Sequence, residues 1–92
     1  MAARRIGQPK SSAHVTPEVR VVLATNLRAA RLAAGLTQTQ LGHLAEVSRD
    51  YIRRIEASDA NVSIDILAAI ARHVGKTPLD LLSPPTAPKR RS

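Results

Sequence analysis

Apolar residues recur three or four positions apart along most of the chain between Val19 and Leu82, which is the spacing of one buried helix face. The first helical segment follows Thr16-Pro17-Glu18, where a capping hydroxyl precedes proline and an acid in the first turn. Gly35 is a typical helix stop, so the first helix is expected to be about 17 residues long. Its apolar positions are Val19, Val22, Leu23, Leu27, Ala30 and Ala34.

Two short helices joined by a tight turn are predicted between Thr37 and Glu56. Thr37 followed three residues later by Gln40 is a capping-box pattern, and Ser48 caps the second helix of the pair. Gly42 has no side chain, so the second helix can cross close over the first. The expected buried faces comprise Leu41, Leu44, Ala45, Val47, Ile52 and Ile55. This layout is that of a helix-turn-helix, whose second helix can enter a DNA major groove.

Two further helices complete the pattern, the fourth capped by Ser63 and ended by Gly75, the fifth capped by Thr77. The fifth helix is short and carries three leucines, which is more apolar surface than one turn needs. Either part of this surface forms a dimer contact or all of it packs on the fourth helix. The three residues are Leu79, Leu81 and Leu82.

The third helix leaves one strongly charged arc on the side opposite its isoleucines. Arginine on such an arc can bind guanine O6 and N7 or a phosphate, and an aspartate can accept from a cytosine amino group. The alternative is a solvated face in which Asp50 compensates the helix dipole and pairs with an arginine. The preceding helix and turn favour the DNA interpretation. The predicted base-reading residues are Arg49, Asp50, Arg53 and Arg54.

One arginine, Arg31, lies toward the buried side of the first helix, where its charge requires an acidic partner. Glu56 lies on the inward arc of the third helix and is the expected partner. The pair is predicted to clamp the two helices together as a structural ion pair without contacting a ligand.

The 92 residues fit a single domain, and the near absence of aromatic residues requires a core of aliphatic side chains. There is no cysteine, no apolar run that could span a membrane and no signal-peptide core, so a soluble cytoplasmic protein is expected. His14, His43 and His73 show no metal-ligand spacing, and no nucleophile–base set is evident, so neither an enzyme nor a cofactor is expected. Tyr51 as the only aromatic residue also argues against single-stranded RNA binding.

Positive charge is concentrated at the two ends of the chain. The formal net charge is +7, yet residues 21–83 carry seven basic and six acidic side chains. Residues 1–15 are expected to form a flexible arm, 16–83 the folded domain and 84–92 a disordered basic tail. Arg4 and Arg5 in the arm could follow a phosphate backbone or enter a minor groove, or could merely add charge.

The loop between the third and fourth helices, Ser58 to Val62, contains Asn61. The side-chain amide of Asn61 could contact a phosphate, or it could form hydrogen bonds only with polar groups of the loop itself. The sequence leaves both interpretations open.

Several linked motifs extend over roughly Leu23 to Leu82: L-R-x-x-R-x-x-x-G-L-T-Q-x-x-L-G, then V-S-R-x-x-I-x-R-I-E, I-x-x-L-x-x-I-A and G-K-T-P-L-D-L-L. Together they resemble the Xre family, the phage Cro and repressor type of helix-turn-helix protein. The resemblance implies a compact five-helix, lambda-repressor-like domain that binds operator DNA as a symmetric dimer. It also implies that Arg49, Asp50 and Arg54 read base edges, and that Arg53 reaches a base or a phosphate.

The same resemblance implies that Gln38 contacts a phosphate or supports the neighbouring base-reading residue, and that the Tyr51 hydroxyl contacts the DNA backbone. It also agrees with the Arg31–Glu56 pair. The expected phosphate contacts are Thr37, Gln38, Ser48, Tyr51 and Asn61. The chain departs from the family pattern at Glu46, where glycine is usual and a positive φ is expected. It departs also at Gly42, where alanine is usual.

Two functions from different classes follow. The first is a sequence-specific, double-stranded DNA-binding transcriptional regulator, expected to be a repressor, that reads a pseudo-palindromic operator in the nucleoid of a prokaryote or phage. The second is an antitoxin-type interaction module that neutralises a small partner toxin and regulates its own operon, because fold alone does not fix function.

Overall fold

The computed structural model describes residues 17–85, and in this part of the chain every regular element is a helix. The expectation of five helices is confirmed. The predicted arm, residues 1–15, and residues 86–92 of the predicted tail lie outside the described residues. The helices are α1 (Pro17–Ala33), α2 (Gln38–Ala45), α3 (Arg49–Glu56), α4 (Ile64–His73) and α5 (Pro78–Leu82).

Each of the last four helices is preceded by a capping residue whose hydroxyl accepts a hydrogen bond from an amide in the first turn. Thr37 accepts from the Gln40 amide at 3.0 Å, and the Gln40 side chain accepts from the Thr37 amide at 2.8 Å, which completes the predicted capping box. Thr77 and Asp80 form a second capping box, and its backbone hydrogen bond lowers the pKa of the Asp80 carboxyl below its ordinary value. Ser48 and Ser63 cap α3 and α4 as predicted.

Within residues 17–85, four residues outside the helices have positive φ, and two of them are not glycine. Gly35 and Gly75 follow α1 and α4 at φ 74° and 72°, as the stop signals predicted. Glu46 ends α2 at φ 61°, so the expected left-handed non-glycine residue is present, at a cost of roughly 1 kcal/mol. Ser58 after α3 adopts φ 63°, which the sequence did not single out.

A single aliphatic core lies between the helices, with α1 packed on α3 and α5, and α2 packed on α3 and α4. The most deeply buried large side chains are Leu27, Leu41, Ile52, Ile70 and Leu81. Gly42 is where α2 meets the turn before α3. A Cβ at Gly42 would lie 2.7 Å from the carbonyl oxygen of Val47, so the close crossing excludes any side chain.

Three positions assigned to apolar faces are more exposed than expected. Leu44 is 43% exposed, because eight-residue α2 buries one narrow side around Leu41 and Gly42, and Leu44 lies at its edge. Val19 is 37% exposed in the first turn of α1, where it borders an open apolar groove. Ala34 lies beyond the end of α1 and is exposed.

The fifth helix divides its leucines between the core and the surface. Leu81 is buried, whereas Leu79 and Leu82 are 73% and 39% exposed. Asn26 of α1 donates through Nδ2 to the carbonyl oxygens of Leu81 at 2.9 Å and Ser83 at 2.7 Å, which fixes the end of α5 on α1. The possibility that all three leucines pack internally is therefore excluded for this chain.

Candidate nucleic-acid interface

The third helix divides sharply into a buried and an exposed side. Ile52 and Ile55 are buried, and the side chain of Glu56 is 4% exposed. The opposite side exposes the four side chains predicted to read bases: Arg49, Asp50, Arg53 and Arg54. Because α3 is held by its isoleucines and by Ser48 at its N-terminus, this charged side has a fixed orientation relative to the core.

Asp50 and Arg53 form an ion pair on this exposed side. Asp50 Oδ1 accepts from Arg53 Nε at 3.0 Å and from Arg53 Nη2 at 2.7 Å. The hydrogen bond from Arg53 lowers the pKa of the Asp50 carboxyl below its ordinary value, with smaller contributions from the charges of Arg53, Arg54 and Arg49. The pairing uses one edge of the Arg53 guanidinium. The other edge, formed by Nη1 and the second proton of Nη2, remains available for guanine or phosphate.

Arg54 lies near an acidic residue that the sequence analysis did not single out. Its Nε is 3.8 Å from Asp59 Oδ2, and both side chains are largely exposed. At this distance and exposure the pair holds Arg54 only weakly. Arg54 can therefore leave Asp59 for a base edge at little cost.

The predicted ion pair between Arg31 and Glu56 is confirmed, and it lies on the buried side of α3, opposite the exposed charged residues. Arg31 Nε donates to Glu56 Oε2 at 2.7 Å, and Nη2 donates to Oε1 at 3.1 Å. Arg31 Nη1 also donates to the Leu36 carbonyl at 2.8 Å, and Gln38 Nε2 donates to Glu56 Oε1 at 3.2 Å. One buried carboxylate thus connects α1, the start of α2 and the end of α3.

Two of the predicted phosphate contacts are hydroxyls at helix N-termini. The oxygens of Thr37 and Ser48 accept from backbone amides, so each retains a hydroxyl proton that can be donated to a phosphate. Gln38, in the first turn of α2, uses one Nε2 proton on Glu56 and retains the other. These donors lie at the N-termini of α2 and α3.

Tyr51 and Asn61 are already bonded to each other. The Tyr51 hydroxyl donates to the Asn61 carbonyl at 2.6 Å, and Asn61 Oδ1 accepts from Arg20 Nη2 in α1. A phosphate contact through the Tyr51 hydroxyl would require this bond to open. The Arg20–Asn61 contact was missed in the sequence because the residues are 41 positions apart and no local pattern links them.

The described part of the chain contains neither a cluster of metal-binding side chains nor a membrane-spanning helix. No group of three His, Cys, Asp or Glu side chains within residues 17–85 could hold a metal ion. None of the helices over the same residues is long and apolar enough to cross a bilayer. The exposed side of α3 presents hydrogen-bond donors from three arginines and one carboxylate, that of Asp50.

Comparison with known proteins supports the helix-turn-helix fold. A family model described as helix-turn-helix matches residues 27–82. The control protein C.BamHI of Bacillus amyloliquefaciens is 32% identical over 69 residues, which cover 74% of this chain and 85% of that protein.

Two solved structures are also similar. The hypothetical transcription factor NHTF from Neisseria has a TM-score of 0.71 and 28% identity, covering 77% of this chain and 83% of its own. The restriction-modification controller protein C.AhdI from Aeromonas hydrophila has a TM-score of 0.64 and 31% identity, covering 67% of this chain and 94% of its own.

Proposed function

This chain belongs to the helix-turn-helix family of DNA-binding transcriptional regulators, and we propose that it reads a pseudo-palindromic operator in the major groove as a symmetric dimer. The observation that supports the proposal is the exposed side of α3, where four charged side chains stand on a helix with a fully buried opposite face. The size and depth of a B-DNA major groove match a single α-helix.

Within each half-site, Arg49, Arg53 and Arg54 are the proposed readers of base edges. Two parallel hydrogen bonds from arginine to guanine are the commonest specific contact in the major groove. Asp50 either accepts from a cytosine amino group or stays paired with Arg53 and keeps the guanidinium plane in place. A carboxylate at this surface also repels phosphate, so a badly aligned complex is disfavoured.

The proposed backbone contacts surround this reading surface. Thr37 and Gln38 at the start of α2 and Ser48 at the start of α3 have donors available. Tyr51 of α3 and Asn61 of the loop after α3 contribute where their mutual hydrogen bond opens. Such contacts set the register of α3 on the duplex without carrying sequence information.

The proposed dimer contact involves the exposed leucines of α5, Leu79 and Leu82. Leu82 also lines an apolar groove with Val19, Val62 and Ile64, so the exposed apolar surface continues beyond α5. A two-fold axis through this surface would present two copies of α3 to one face of the DNA. Their separation would need to be about 34 Å, one turn of B-DNA.

The decisive experiment is selection of bound sites from random duplex DNA at two salt concentrations. A motif with two-fold symmetry and half-sites about one helical turn apart is expected. Recovery of no preferred sequence, at a protein concentration that binds DNA, would contradict the proposal.

The role of Arg54 is tested on the selected site. Arg54→Ala is expected to lower affinity for the operator about ten- to a hundredfold, because one bidentate base contact discriminates by about 1–3 kcal/mol. Affinity for random DNA should fall far less. Arg72→Ala, an exposed arginine at the end of α4, is the matched control. Equal loss on both DNAs would assign Arg54 to a phosphate instead.

The antitoxin alternative is less well supported. The similar proteins named above are described as transcription factors and controller proteins, which favours the regulator. Copurification of a second small protein with the native chain, at one-to-one stoichiometry, would favour the alternative.

A further inference from the structure

The groove between α1, α2 and α3 contains Arg28, an arginine that has no role in the proposed function so far. Leu27, Arg28 and Arg31 are the charged and apolar positions of the L-R-x-x-R motif at the end of α1. Leu27 is fully buried in the core, and Arg31 is bonded to Glu56. Arg28 is exposed and forms no ion pair within residues 17–85.

Arg28 nevertheless lies beside the residues of the proposed DNA surface. An open groove of about 480 Å³ is lined by Arg28 of α1, by Thr37, Gln38 and Thr39 at the start of α2, and by Arg49 at the start of α3. The groove thus joins a base-reading position to two proposed phosphate contacts. Arg28 is on the same side of the molecule as all three.

The charge of this groove is unbalanced. No carboxylate of the described residues lines it, and the charge of Arg31, which also borders it, is neutralised by the buried Glu56. Two guanidiniums, those of Arg28 and Arg49, therefore face the groove with no acidic partner in its walls. Hydroxyls and an amide beside two guanidiniums favour a phosphodiester, which can only accept hydrogen bonds.

We infer that Arg28 binds a phosphate of the DNA backbone at the edge of each half-site, on the α1 side of α3. This inference rests on the proposed function and extends it to a residue outside the helix-turn-helix. The guanidinium neutralises the phosphate and carries no base preference. It fixes the end of α1 against the duplex while Arg49 reads the adjacent base.

The test compares wild-type protein with Arg28→Ala on the selected operator and on random duplex DNA over a range of salt concentrations. Both affinities should fall by the same factor, roughly five- to tenfold for each protomer bound near 0.1 M salt. The slope of log K against log salt should be smaller by about 0.9 for each protomer bound, since one fewer phosphate is neutralised. Arg28→Lys should restore the slope, and Arg72→Ala should leave it unchanged. Melting temperatures should agree within error, because Arg28 makes no internal ion pair.

A second measurement locates the phosphate. Replacing operator phosphates one at a time by neutral methylphosphonates should reveal one position per half-site that weakens wild-type binding and leaves Arg28→Ala unaffected. An unchanged salt slope for Arg28→Ala, or an altered base preference, would overturn the inference. If wild-type protein itself selects no sequence, the proposed function fails instead, so the two failures are distinguishable.

Discussion

At the scale of single residues, Gly42 shows how a close approach of backbones outweighs intrinsic helix propensity. Glycine in a helix interior is less favourable than alanine by about 1 kcal/mol. At this position, however, a Cβ would meet the Val47 carbonyl oxygen at 2.7 Å and the Ser48 carbonyl group at 3.2 Å. These atoms belong to the turn between α2 and α3, which sets the crossing of the two helices.

Gly42→Ala is therefore expected to destabilise the protein, against the direction that propensity alone predicts. The net loss should be up to about 2 kcal/mol, since overpacking against backbone costs about 1–3 kcal/mol and the higher helix propensity of alanine offsets about 1 kcal/mol of this. Urea unfolding measures it. Thr39→Ala, an exposed position in the same helix, serves as control and should change little or stabilise slightly. A Gly42→Ala variant more stable than wild type would show that the turn moves freely.

Residue-level predictions succeeded where the signal is local. The close crossing at Gly42 and the left-handed conformation of Glu46 could both be predicted, because the motif around them fixes the turn geometry. Ser58 was predicted only to lie in a loop. Its positive φ has no marker in the sequence, since serine is not typical of that conformation.

At the scale of elements, the buried Arg31–Glu56 pair joins α1 to α3. Both side chains are at most 7% exposed, and the guanidinium also bonds to the Leu36 carbonyl. A buried ion pair contributes little net stability, but loss of one partner leaves an uncompensated charge in the core. Its main effect is on the relative placement of helices.

Arg31→Met should therefore cost about 3–5 kcal/mol, whereas Arg31→Met combined with Glu56→Leu should cost clearly less than Arg31→Met alone. Chemical unfolding of the single and double variants measures this coupling. The single variant is expected to be poorly folded, so the double variant makes the comparison decisive. Equal losses of unfolding free energy in the single and the double variant would mean that the pair acts through packing alone.

Element boundaries were largely predictable, because caps and stops depend on residues a few positions apart. Thr37, Ser48, Ser63 and Thr77 all cap the helices that follow them. The Arg31–Glu56 pair was found because burial of an arginine demands an acid on a facing helix. Contacts that only tertiary packing creates, such as Asn26 with the end of α5 or Arg28 with the groove, could not be predicted.

At the scale of the whole molecule, the charge distribution separates general from specific attraction to DNA. Residues 21–83 are nearly neutral, and most of the net charge of +7 lies at the two ends of the sequence. Under the proposed function, specificity therefore depends on the local placement of charged side chains around α3 rather than on the overall electrostatic field. The identity of each base contact could not be predicted, because it depends on the duplex as well as on the chain.

Dimer formation is tested by replacing exposed apolar side chains. Leu79→Ser combined with Ile64→Ser should raise the dimer dissociation constant at least tenfold in sedimentation velocity, because both side chains are more than 70% exposed in the free chain. Little loss of monomer stability is expected for the same reason. Leu44→Ser, an exposed leucine on α2, is the matched control. A dimer unaffected by the double change would place the two-fold axis elsewhere.

The hydrogen bonds of the Arg31–Glu56 pair run in one direction, with a donor at position 31 and an acceptor at position 56. This direction restricts which residues can replace the pair. The carboxylate accepts from Arg31 and from Gln38, and the guanidinium donates to the Leu36 carbonyl as well. Exchanging the two residues would keep the opposite charges yet set an acid against the carbonyl oxygen of Leu36, where two acceptors repel. A glutamate at position 31 paired with an arginine at position 56 is therefore not an equivalent solution, and descendants of this chain should keep the pair in its present order or lose it altogether.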